Sequence, residues 1–95
     1  MAETAQRIKA HITGRVQGVG FRHFTTTTAR RLGVTGWVRN EPDGSVRLVA
    51  EGPADDLQAL VEAVHEGPPA ARVDDVTSSR GAAEDAFSQF EVRHH

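Results

Sequence analysis

The 95-residue chain contains no cysteine. That excludes disulfide staples, thiolate nucleophiles and metal sites built on sulfur, so the fold must stand on packing alone. Long apolar runs are missing as well. No stretch approaches the roughly 18 apolar residues that a membrane span requires, and Met1 to Lys9 has no apolar core of a secretion signal, which points to a cytoplasmic protein with no membrane partner. Charge of one sign is equally scarce. The formal net charge is -2 with acidic and basic side chains interspersed, so no segment reads as a nucleic-acid arm or a membrane tether. The five histidines are scattered without ligand spacing, and no metal or other cofactor is expected.

What is present is 38% hydrophobic residues over a length that suits one compact domain and is too short for two. A single domain over residues 1–95 is expected, with its core over about 7–93. A domain of this size buries only roughly 60–65% of its unfolded surface, so the periodic apolar residues are needed for stability and function must come from loops and edges. The chain carries no extended apolar patch pattern and is expected to be a monomer.

Ile8, Ala10 and Ile12 alternate with Arg7, Lys9, His11 and Thr13, the period-two pattern of a strand with one buried face, and Gly14 reads as its end. Val34, Gly36 and Val38 against Thr35, Trp37 and Arg39 predict a second strand, with Trp37 partly exposed on the outer face. Val46, Leu48 and Ala50 against Arg47, Val49 and Glu51 predict a third. Asn40-Glu41-Pro42-Asp43-Gly44 between them supplies the turn chemistry of a hairpin. One helix follows from Phe21, Thr25, Thr28 and Leu32 on a single stripe, with Gly33 as its C-cap. The β-branched run Thr25 to Thr28 lowers helix propensity there, so tertiary packing has to hold that turn. A second helix follows from Leu57, Leu60, Val61 and Val64, with Pro53 near its first turn, Asp55 and Asp56 at its N-terminal dipole, and Gly67-Pro68-Pro69 as a stop. Val73 and Val76 suggest a fourth strand, Gly81 to Asp85 a polar turn, and Phe90 and Val92 a short terminal strand. The order β-α-β-β-α-β predicts an α/β (α+β) ferredoxin-like sandwich: two helices on one face of an antiparallel sheet of four strands plus a short terminal strand.

Between the first strand and the first helix lies Gly14-Arg15-Val16-Gln17-Gly18-Val19-Gly20-Phe21-Arg22. Glycine at this density lets successive backbone N–H groups turn inward as a concave nest, and the helix start beyond adds partial positive charge. Arg22 on the first helical turn opposes the dipole unless an anion is present, and its planar fork can bind two phosphate oxygens at once. There is no Gly-Lys-Ser/Thr ending, and His23 stands where a dinucleotide fingerprint has its third glycine, so neither nucleotide motif applies. On composition alone the glycines could equally make only a tight turn, with Arg22 a solvated surface residue. Asn40, at the mouth of the hairpin turn, is by itself ordinary turn chemistry.

The joint pattern is more specific. Gly14-x-Val16-Gln17-Gly18-Val19-x-Phe21-Arg22, followed by Leu32-Gly33-Val34-x-Gly36-Trp37-Val38-Arg39-Asn40-x-x-Asp43-Gly44-x-Val46, closely resembles the two signature segments of the acylphosphatase family. The resemblance extends more loosely from about Arg7 to Arg93, whereas Thr77 to Ser88 is short, polar and unlike the family. It implies a ferredoxin-like sandwich that hydrolyses the carboxyl–phosphate bond of small acyl phosphates. It also implies Arg22 and Asn40 as the catalytic pair, and Gln17, Gly18, Val19, Gly20, Phe21 and Arg22 as the substrate-binding loop, without metal or cofactor.

These residues suit that chemistry. Asn40 does not titrate and Arg22 stays protonated, so no general base or acid is evident. An acyl phosphate expels a carboxylate, which leaves without protonation, so positioning and charge stabilisation suffice. His23, one residue past Arg22, points about 100° away around the helix and reads as a surface or packing residue. His94 and His95 read as a terminal pair. Two other functions share parts of this pattern. A non-catalytic phosphate-binding or regulatory module would need Arg22 but not Asn40. An RNA-recognition module has the same element order, but Trp37 is the only aromatic residue on the three clear strands and the net charge is negative.

Overall fold

In a computed structural model of the chain, residues 5–94 are described. The elements run β1 (Ala5–Arg15), α1 (Phe21–Leu32), β2 (Thr35–Asn40), β3 (Val46–Pro53), α2 (Ala54–Glu66), β4 (Arg72–Ala82) and β5 (Phe90–Arg93). They form one five-stranded sheet in the order β4-β1-β3-β2-β5. In β1, alternation buries Ile8, Ala10 and Ile12, which pair across to Ala50, Leu48 and Val46 of β3. Val38 of β2 lies opposite Leu48, so all of these side chains share one face. Both helices cover that face. Leu57, Leu60 and Val64 come down from α2 and Phe21 and Ala29 from α1, closing a core with the sheet residues. The terminal strand β5 lies beside β2 and is parallel to it, Phe90 opposite Gly36 and Val92 opposite Val38, so the sheet as a whole is mixed.

The structure corrects several local expectations. Gly14 does not end the first strand: β1 continues to Arg15 through an irregularity between Thr13 and Gly14. There φ is 125°, and an added Cβ would lie inside contact distance of the Arg72 carbonyl oxygen and 2.7 Å from the Asp74 nitrogen. The glycine is required because the β4 backbone approaches closely, not because the chain turns. In α1 the inward residues are Phe21, Thr25, Thr26 and Ala29, while Thr28 and Leu32 are only half-buried. The hydroxyls of Thr26 and Thr28 donate to the carbonyls of Arg22 and Phe24, at 2.8 and 2.9 Å, which satisfies them inside the helix.

The other sheet face is also less open than its polar residues suggest. Trp37 is only 9% exposed and Glu51 only 5%. The Trp37 ring carries the guanidinium groups of Arg39 and Arg93 at 4.8 and 5.4 Å. β4 reaches Ala82, past the start of the expected Gly81 to Asp85 turn, and the chain then returns across this face to reach β5. Glu51 anchors that return: its carboxylate accepts the N–H groups of Glu84 and Ala86 at 2.8 and 3.2 Å and pairs with Arg7 at 3.1 Å. Burial works against the charge most strongly, but the two N–H donors and the Arg7 guanidinium outweigh it and hold the Glu51 carboxyl below its ordinary range.

Candidate active site

Strand parity decides where Asn40 points. It pairs with Val46 at the end of the β2–β3 ladder and shares the helix-covered face with Val38, two residues back. Its side chain therefore meets the start of α1, whereas Arg39 turns to the opposite face and pairs with Glu41 at 2.9 Å. The Asn40 Oδ1 is buried and has no hydrogen-bond partner among the described residues. An unpaired buried acceptor is costly and uncommon; among the described residues Thr25 Oγ1 and Arg7 Nε share this state, and of the three residues only Asn40 lines the cavity described below.

Opposite it, α1 begins without a protein cap. Gly20 is the N-cap and offers no side chain, and the first turn holds no acidic residue. The Phe24 N–H reaches the Gly20 carbonyl at 2.9 Å, so the N–H groups of Phe21, Arg22 and His23 precede the helical ladder. Gly18 and Gly20 stand at φ 72° and 80°, and a Cβ on either would meet open space. The glycines are thus set by backbone conformation, and they leave room in front of the helix. Arg22 sits on this first turn and its Nη1 is 3.4 Å from the His94 Nδ1. Since a guanidinium only donates, the imidazole nitrogen accepts.

These groups converge on one cavity of about 490 Å³, whose lining includes Gly18, Gly20, Phe21, Arg22 and Asn40. Gln17 and Val19 do not line it. Val19 packs against the core. The Gln17 Nε2 donates to the carbonyls of Glu41 and Ser45 at 2.8 and 2.9 Å, tying the loop to the hairpin that carries Asn40. The hairpin is further fixed by Asp43, which accepts both the N–H and the hydroxyl of Ser45. Those bonds, the hydroxyl first, lower the Asp43 pKa.

Beyond the expected residues the lining includes Val16, His23, Thr26, Arg30, Val92 and His94. His23 is exposed and reaches the rim despite its angular offset from Arg22. Arg30 follows Arg22 at two steps of four, a spacing the sequence already displays. His94 is not merely a tail residue: it continues the β5 alternation after Phe90 and Val92 onto the helix side. His95 lies outside the described residues. No Asp or Glu lines the cavity, and among the described residues no group of three or more His, Cys, Asp or Glu is placed to hold a metal ion. No described helix is long and apolar enough to cross a membrane.

Fold and site together define a small α/β sandwich with a cavity at the uncapped start of its first helix, lined by Arg22 and by Asn40, whose Oδ1 has no partner among the described residues. Known proteins share this frame. The acylphosphatase family model matches residues 8–92. The chain is 66% identical to an acylphosphatase of Salinibacter ruber, over 95% of each chain. Its structure superposes on the acylphosphatase from Bacillus subtilis with a TM-score of 0.90 at 38% identity, covering 93% of this chain and 98% of that one. For an acylphosphatase from Coxiella burnetii the TM-score is 0.89 at 41% identity, over 95% and 94%. The chain belongs to the acylphosphatase family. It hydrolyses acyl phosphates to the carboxylate and inorganic phosphate.

Proposed function

We propose that Arg22 and the backbone N–H groups of Gly18, Gly20 and Phe21 hold the phosphoryl group, and that Asn40 places the attacking water. The observation that carries this reading is the buried, unpartnered Asn40 Oδ1 in a cavity shared with Arg22 and free of carboxylates. Oδ1 accepts a hydrogen bond from a water and leaves a lone pair of the water oxygen aimed at phosphorus. The water oxygen attacks in line, the phosphorus–oxygen bond to the acyl group breaks, and the carboxylate departs with that electron pair. The water's proton passes to a phosphoryl oxygen of the substrate, so no protein base is required. Arg22 and the helix start stabilise the charge spread over the equatorial oxygens. The reaction in this reading uses no metal and no cofactor. The working unit is a cytoplasmic monomer made of one domain over residues 1–95, acting on small acyl phosphates.

The test is release of phosphate from benzoyl phosphate in the presence of a chelator, for the native chain, Arg22→Ala and Asn40→Ala. Arg22→Ala should lose more than about 10²–10³ in rate, the scale of one donor in such a site, because it supplies binding and charge together. Asn40→Ala should stay folded, still bind inorganic phosphate and be nearly inactive. An Asn40→Ala protein that keeps more than a tenth of native activity would return Asn40 to turn chemistry.

A further inference from the structure

The cavity is larger than a phosphoryl group fills, and its far part has a defined chemistry. One wall is the ridge Arg22, Thr26 and Arg30 of α1, with Arg30 about 12 Å beyond Arg22 along the helix axis at the backbone. The facing wall comes from Val92 of β5 and from His94, which follows the strand. Of the eleven residues lining the cavity, four are Arg or His and none is acidic. Val92, at 37%, is the exposed large hydrophobic residue of the described chain, and it lines the same cavity as the two guanidinium-bearing positions.

Arg30 is aimed as well as charged. Its Nε donates to the Phe90 carbonyl at 3.1 Å, which pins the side chain across the gap between α1 and β5. That bond uses one of the five N–H groups of the fork; among the described residues the terminal nitrogens have no hydrogen-bond or ion-pair partner. A favourable helix dipole accounts for a cation in the last turn, but Arg31 shares that turn and does not line the cavity. The dipole therefore explains the charge and not the direction.

We infer that Arg30 is a second anion-binding residue, which makes the enzyme select acyl phosphates whose acyl group carries a further negative charge on an apolar spacer. The spacer lies along Val92 and the remote carboxylate or phosphate meets the outer N–H groups of Arg30. This rests on Arg22 taking the phosphoryl group.

The experiment compares kcat/KM for benzoyl phosphate and 4-carboxybenzoyl phosphate in the native enzyme, Arg30→Gln and Arg30→Lys. Comparing ratios between variants cancels any difference in leaving ability of the two acyl groups. The preference for the carboxylated substrate should fall about five- to tenfold in Arg30→Gln, the scale of one charge-assisted hydrogen bond in a half-open site, mostly through KM. Arg30→Lys should recover part of it, benzoyl phosphate should change less than about twofold, and salt should shrink the native preference. If Arg30→Gln slows both substrates equally, Arg30 only ties α1 to β5 and the proposal fails. If Arg30→Gln does not fold, an unchanged ratio in Arg30→Lys and in native enzyme at high salt overturns it instead. A native protein that hydrolyses neither substrate sinks the site assignment and this proposal together, whereas hydrolysis of both with a ratio indifferent to Arg30 sinks this proposal alone.

Discussion

Replacing Gln17 tests whether the glycine loop and the Asn40 hairpin act as one rigid piece. The Gln17 Nε2 donates to the carbonyls of Glu41 and Ser45, the residues flanking the last β2–β3 pair, Asn40 and Val46. Both carbonyls have a second donor, since the Gly44 N–H reaches the Glu41 oxygen at 3.1 Å and the Glu41 N–H reaches the Ser45 oxygen at 2.8 Å. Gln17→Ala thus leaves no carbonyl bare and removes two neutral hydrogen bonds, roughly 1–3 kcal/mol in all. In a domain of this size each kcal/mol moves Tm by about 4–8 °C, so a fall of about 4–24 °C is expected. The effect on rate should be larger than the effect on stability implies. The tie sets the separation of Asn40 from Arg22, and a displacement of about 1 Å can cost about 10² in rate. We expect kcat for benzoyl phosphate to drop about 10- to 100-fold while affinity for inorganic phosphate, which the proposed site assigns to Arg22, changes little. Gln17→Glu has the same shape but no donor, so its carboxylate would face two carbonyl oxygens and it should be less stable than Gln17→Ala. The assays are urea unfolding and phosphate release at one pH. A Gln17→Ala enzyme that is destabilised yet within twofold of native kcat would refute the positioning role, and equal stability of the two variants would refute the donor geometry.

Glu51→Gln should destabilise the fold by about 2–4 kcal/mol at neutral pH, because it weakens a buried carboxylate that takes two N–H groups and Arg7. The Glu51 pKa is lowered on folding, so its contribution is present above the ordinary value of 4.5 and lost as pH falls through the folded-state value. The urea midpoint of the native protein should therefore drop in acid, and Glu51→Gln should flatten that drop, leaving a residual slope to which Asp43, shifted in the same direction, contributes. Gly14→Ala should cost about 1–3 kcal/mol or more in urea unfolding, since the new methyl meets β4 backbone that has nowhere to move; native stability in that variant would mean the strands separate there without penalty.

What a sequence reveals of this fold depends on whether the cause is local. Alternation in β1, β2 and β3 and the stripe of Leu57, Leu60 and Val64 were readable because each residue's neighbours along the chain determine its face. The same parity places Asn40 with Val38, on the helix side. The burial of Glu51 is not legible locally, because the segment that reaches it, Glu84 to Ala86, comes more than thirty residues later and has no periodicity of its own, and Trp37, expected to be partly exposed, is nearly buried under Arg39 and Arg93. β4 is nearly all polar and only half-buries Val73 and Val76; backbone pairing with β1 defines its length, and side-chain pattern does not record that. The site divides in the same way. The two signature segments carry the proposed phosphoryl end, Gly18 to Arg22 and Asn40, and their spacing is conspicuous. The acyl end is bounded by Arg30, Val92 and His94, which lie outside both segments and meet only because β5 docks beside β2. If Arg22 and Arg30 act as proposed, chemistry and substrate preference lie in different parts of the chain, and substitutions along the α1 ridge and β5 should redirect the enzyme among acyl phosphates while the groups that hold and attack phosphorus stay as they are.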